Sequence, residues 1–165
     1  MATVLDLDAN GALFKLDPAL DGNEQELRTI YVSPVLKDWI VDVLPSLQCA
    51  WDSEISPAGQ LDALVSIFCS GKVLTYDRQF KPLTHIGDGV WELKTADIRI
   101  FGWFHIKDCF IGAVADDATR IKAHRLYYGH ATVTVPNFRN ALDLNAPKFV
   151  PGDNPDAVVS NYTLP

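Results

Sequence analysis

The stretch from Phe80 to Phe104 constrains this chain more than any other. Val90 to Thr95 and Ile98 to Phe104 are rich in β-branched and aromatic residues, which suit a pleated, partly buried surface. Ala96-Asp97 is the expected two-residue turn between them, although it lacks the glycine such turns favour. That turn sets Lys94 opposite Arg99, Glu92 opposite Phe101 and Val90 opposite Trp103. On the other face, Leu93 meets Ile100 and Trp91 meets Gly102. Side chains alternate along a strand, so these are two separate faces. Trp91 over Gly102 is expected core, a large ring where the partner has no side chain. The second face mixes Lys94, Arg99 and Glu92 with Phe101 and Trp103. A solvated face does not need those rings, and a buried one does not tolerate unpartnered cations. A ligand groove, or a second layer covering the sheet, explains the mixture. A diagonal ion pair between Arg99 and Glu92 is the simplest structural account of the charges.

The chain of 165 residues fits one domain with a proper core. No apolar run approaches the length of a membrane span, so no membrane partner is expected. The opening Met-Ala-Thr-Val-Leu-Asp-Leu-Asp is acidic and unlike a secretory leader, so the expected location is cytoplasmic. Cys49, Cys69 and Cys109 are odd in number and widely spaced, each in an apolar setting. They are expected to be reduced, buried thiols. No CxxC, HExxH, Walker or GxSxG pattern occurs, and neither a metal nor a cofactor is expected. His85-Ile-Gly-Asp-Gly precedes a strand and does not open a helix, so it is not a dinucleotide fingerprint. The net charge of −7 argues against non-specific nucleic-acid binding. The distribution softens this. Residues 1–71 hold 3 basic and 11 acidic side chains, whereas residues 72–148 hold 11 basic and 8 acidic. The basic charge sits in the half that carries the hairpin.

Residues 1–27 read as an N-terminal extension, with a short hairpin of Val4-Leu5 and Ala12-Leu13-Phe14 around Asn10-Gly11. Arg28 to Val32 reads as a strand. Ser33-Pro34 opens a helix whose apolar stripe is Val35, Trp39, Ile40 and Val43. Ser56-Pro57 opens a second, with Leu61, Leu64, Val65 and Phe68 inward and Gly71 as its stop. After the hairpin, Cys109 to Val114 is a third strand, turned by Lys107-Asp108. Thr119 to Tyr128 is a short helix or an irregular basic segment. Val133 and Val135 are expected to be extended before Pro136, and Asn137 to cap a helix from Phe138 to Leu144. The proline-rich residues 147–165 are expected to lie extended on the surface.

This order, with the hairpin residues, resembles the RelE/ParE toxin superfamily, and most of all its phage-derived, HigB-like branch. The matching pattern is Gly89, then Trp91-Glu92-Leu93-Lys94, then Arg99-Ile100-Phe101, preceded by Lys81-Pro82-Leu83 and by a Trp-containing helix after Pro34-Val35. It covers roughly residues 28 to 128. The implied fold is α+β and RelE-like, two N-terminal helices on a small antiparallel sheet. Residues 28–146 form that domain, with an N-terminal hairpin and an extended C-terminal tail as additions.

The resemblance implies a sheet face that binds RNA on the ribosome and cleaves mRNA without a metal. Such chemistry deprotonates a 2′-hydroxyl, offsets phosphate charge and protonates the leaving oxygen. Arg99 matches the family's sheet arginine and would stabilise the phosphate. His124 or Tyr128 would handle protons, and Lys122 and Arg125 would hold phosphate. Lys94, Lys81 and Trp103 would complete the RNA surface. Structural accounts stand beside each of these. His124 and His130 fit surface positions, His85 fits a turn before the strand, Tyr127-Tyr128 fits core packing with one exposed hydroxyl, and Lys122 and Arg125 fit a solvated helical face. Where such toxins often carry two lysines after the third strand, this chain has Ala115-Asp116-Asp117. Two functions follow: a toxin-like endoribonuclease with ribosome, mRNA and a cognate antitoxin as partners, or a non-catalytic phage or prophage protein that uses the fold to bind a host or viral protein.

Overall fold

A computed structural model describes residues 1–49, 54–84, 88–123 and 126–165. In chain order its elements are α1 (Val4–Ala9), β1 (Phe14–Lys15), β2 (Thr29–Val32), α2 (Pro34–Asp42), α3 (Pro57–Cys69), β3 (Leu74–Thr75), β4 (Phe80–Pro82), β5 (Trp91–Lys94), β6 (Ile98–Ile106), β7 (Cys109–Asp117), α4 (Ala118–Ala123), α5 (Leu126–Ala141) and β8 (Tyr162–Thr163). Short 3-10 turns occupy Leu44–Ser46 and Pro155–Ala157. The chain is thus α+β. Its main sheet has six strands in the order β1-β2-β7-β6-β5-β4, and β3 pairs with β8 apart from it. The sheet is mixed where a purely antiparallel one was expected. β2 runs parallel to β7, because two helices and four further strands separate them and bring the chain back in the same sense.

The hairpin has the register its sequence predicts. Lys94 faces Arg99, Glu92 faces Phe101, Leu93 faces Ile100 and Trp91 faces Gly102. Trp91 is fully buried, stacked on Phe80 at 6.0 Å and edge-on to Phe104 at 5.6 Å. The two expected helix starts also form. Ser33 Oγ accepts from the Leu36 N–H, and Ser56 Oγ accepts from the Gly59 N–H, each with proline in the first turn.

Two cores sandwich the sheet. The first joins Ile30, Val32, Phe80, Trp91, Ile100 and Phe104 of the sheet to Leu36 of α2, to α3 and to Val158 and Val159. The second joins Tyr31, Phe101, Trp103 and Ile111 to Leu7 of α1, Ile121 of α4 and Ala131 and Val135 of α5. Helices were expected on one face, and both faces are covered.

Four local expectations are corrected. Val4 to Ala9 is a helix, not a hairpin strand. Thr3 caps it and receives the Asp6 side chain in return, so both end donors are satisfied locally. Asn10 ends that helix, and Gly11 follows at φ +79°. Residues 133–135 are not extended, because α5 runs through Pro136. Ala131, Val135, Phe138 and Leu142 recur at helical spacing on one stripe, three of them buried and Phe138 packed against them. An interior proline costs about 3 kcal/mol, and each large buried side chain on that stripe returns about 1.5–3 kcal/mol. The tail is not merely a surface segment, since Val158 and Val159 are 1% exposed and Tyr162-Thr163 forms a strand. Cys69 and Cys109 are buried free thiols as expected, but Cys49 is only part-buried.

Candidate functional site

The second face of the sheet divides into an apolar part and a charged end. Strand alternation sends Lys81, Glu92, Lys94, Arg99 and Asp116 to that face. Cross-strand pairing then puts Lys81 beside Glu92, Lys94 beside Arg99 and Arg99 beside Asp116. Tyr128 of α5 packs edge-on against Phe101 at 5.7 Å and lies close enough to feel both Arg99 and Glu92.

Glu92 is the centre of this group. It is 0% exposed, and neither carboxylate oxygen has a hydrogen-bond partner among the described residues. Lys81 Nζ stands 3.7 Å from Oε1. Burial pushes the Glu92 carboxyl above its ordinary range, against the pull of Lys81, Lys94 and Arg99. Burial lowers the Lys94 ammonium, with Lys81 adding repulsion. Burial also raises the Tyr128 hydroxyl, and the charge of Glu92 adds to it. These are mutual effects of one compact cluster. A buried carboxylate of raised affinity for protons, three cations and a hydroxyl can together move a proton and hold an anionic ligand.

The cluster is covered. Arg99 is 8% exposed and donates to the main-chain carbonyls of Thr95 and Ile98. It does not close the diagonal ion pair with Glu92, which pairs with Lys81 instead. Lys94 donates to the Asp77 carbonyl at 2.9 Å. Trp103 is 0% exposed, packs on Phe138 and donates through Nε1 to the Lys148 carbonyl at 3.1 Å. It holds the C-terminal segment in place. Asp116 pairs with Arg120 at 3.8 Å. The structure therefore gathers Lys81, Lys94, Arg99 and Tyr128 around Glu92. Lys122 is exposed on α4, outside that group. His85, His124 and Arg125 lie outside the described residues.

The sequence offers Glu92 only a structural part, as the partner of Arg99 in a diagonal ion pair, and no part in catalysis or binding. The available signal was its place between Trp91 and Leu93, on the same strand face as Lys94. Among the described residues, no group of three or more His, Cys, Asp or Glu side chains could hold a metal ion, and no helix is long and apolar enough to cross a membrane. No family model matches the chain, and neither a curated protein nor a solved structure matches it.

Proposed function

We propose that this protein is a toxin-like, metal-independent endoribonuclease of the RelE/ParE kind, acting on ribosome-bound mRNA in the cytoplasm and held by a cognate antitoxin. One observation carries the reading: Arg99 and Tyr128, which the resemblance implies are catalytic, and Lys81 and Lys94, which it implies bind RNA, surround a buried carboxylate that has no hydrogen-bond donor among the described residues. Glu92 takes the proton of a ribose 2′-hydroxyl, whose oxygen attacks the adjacent phosphorus. Arg99 offsets the charge that builds on the phosphoryl oxygens. Tyr128 gives its proton to the departing 5′-oxygen as the P–O bond breaks, leaving a cyclic phosphate and a free 5′-hydroxyl. Lys81 and Lys94 hold flanking phosphates. The order of elements adds support: a strand, two helices, then an antiparallel meander whose last strand returns beside the first. Because Glu92 is fully buried, catalysis requires that α5 lift from this end of the sheet.

A second reading is a non-catalytic fold that binds a host or viral protein. The bonds from Arg99 to Thr95 and Ile98, and the use of Trp103 to hold the C-terminal segment, favour it. Induced expression in bacteria separates the two. The ribonuclease reading expects growth arrest with mRNA cut on ribosomes, and relief of both by Arg99→Ala or Glu92→Gln. Normal growth with soluble protein and intact mRNA would sink it in favour of the second.

A further inference from the structure

The carboxyl ends of the parallel strands β2 and β7 part in opposite directions. β2 leads into α2 on one face of the sheet, and β7 leads into α4 and α5 on the other. Such a divergence leaves a crevice between the two helical layers. Here the last β2–β7 pair is Val32 with Gly112, so Val114 to Asp117 run on past β2. A cleft of about 180 Å³ opens there. Val35 and Trp39 of α2 line one side, Ile121 and Ala131 the other, with Phe101 of the sheet between them.

Its size argues against a metabolite, because pockets for small-molecule ligands run to about 300–1,000 Å³. It suits a single large side chain. On α2 its lip is apolar and exposed. Val35 is 67% exposed, although the sequence places it on the apolar stripe of α2. The side of α2 that carries Val35 and Trp39 also carries Asp38 and Asp42, at helical spacing and both exposed. Asp116 lines the cleft from the sheet, and His130, hydrogen-bonded to Thr134, lines it from α5. Lys37 is turned away, its ammonium 3.7 Å from the centre of the Phe14 ring.

We propose that this cleft docks a partner polypeptide through one large apolar side chain flanked by lysine or arginine. The anchor fills the space between Trp39, Phe101 and Ala131, and the flanking cations meet Asp38 and Asp42. A large side chain seated in a packed pocket is the usual form of a binding hot spot, and complementary charge on one flank adds specificity and association rate. The inference stands apart from the ribonuclease reading, since none of the residues assigned to catalysis lines the cleft.

The test uses the full chain and three synthetic peptides: Lys-Lys-Ala-Ala-Trp-Ala-Ala-Lys-Lys, the same peptide with alanine at the centre, and the tryptophan peptide with glutamate in place of lysine. Calorimetry reads affinity, and amide shifts in NMR read the location. The lysine–tryptophan peptide is expected to bind at least tenfold tighter than either control and to shift the Val35, Trp39 and Ala131 amides. Val35→Lys, at an exposed position, and Trp39→Ala are each expected to weaken it at least tenfold without loss of fold. Equal binding of the tryptophan and alanine peptides would overturn the proposal, as would no binding at all or shifts elsewhere. Indole binding as tightly as the peptide would make this a small-molecule site. A concentration-dependent dimer dispersed by Val35→Lys would make the occupant a second copy of this chain. Either result also overturns it.

Discussion

Lys81 and Glu92 face each other across the β4–β5 pairing, with Nζ 3.7 Å from Oε1, yet the two ends of this ion pair live in different media. The lysine side chain is 34% exposed and the glutamate 0%. The carboxylate therefore loses its hydration while its counter-ion keeps much of its own, an arrangement in which desolvation outweighs attraction.

That imbalance sets a pH dependence. The folded-state pKa of Glu92 is raised above its ordinary 4.5, so the native state holds this proton more readily than the unfolded chain does. The stability it contributes is fully present below about pH 4.5 and is lost as pH rises through the folded pKa. Glu92→Gln has no carboxyl to titrate there and loses this dependence. Urea midpoints of the two proteins, compared from about pH 4 to about pH 8, are expected to move steadily in favour of the variant. Parallel curves would contradict the burial cost.

Arg28 ties three segments together. It is 1% exposed, donates to the carbonyls of Phe68, Lys72 and Asn161, and meets Asp108 at 3.4 Å. Arg28→Met leaves those acceptors in a dry setting, and a loss of about 3 kcal/mol is expected from urea unfolding. Arg28→Lys should recover only part of it, because an ammonium cannot reach all the acceptors at once. The Leu74 amide, bonded to the Asn161 carbonyl, should exchange faster in both variants. An unchanged exchange rate would mean the β3–β8 pairing does not depend on Arg28.

Gly102 lies at a register shift between β6 and β7, where an added Cβ would come within 2.0 Å of the Ile111 carbonyl oxygen. The obstacle is backbone, which cannot rotate away. Gly102→Ala is expected to cost about 3 kcal/mol or more in thermal or urea unfolding. A loss below about 1 kcal/mol would show that the sheet can shift to admit the methyl group.

The three thiols should separate in alkylation. Burial pushes the Cys69 thiol up to about 12 and raises Cys109 as well, whereas Cys49 is only part-buried. Iodoacetamide at about pH 8 is expected to modify Cys49 alone in the native protein, with the other two reacting only in denaturant. Rapid native labelling of Cys69 would contradict its burial.

The sequence by itself determined what a few neighbouring residues can settle. Ser33-Pro34 and Ser56-Pro57 start helices because the hydroxyl and the proline act within one turn. The alternation around Trp91 and Gly102 decides the hairpin register, since a slip of one residue would turn its core outward. The mixed face of that hairpin already asked for either a ligand or a covering layer. Only the tertiary structure chose the cover. α5 runs through Pro136 because a buried stripe from Ala131 to Leu142 outweighs one missing hydrogen bond. Asn10-Gly11 ends a helix instead of turning a hairpin because Leu7 and Leu13 have a core to fill. Glu92 became the centre of the candidate site for the same reason. Its pairing with Lys81 is local to the sheet, but its burial and its closeness to Tyr128 depend on α5, far along the chain, and such contacts are decided by packing and not by pattern.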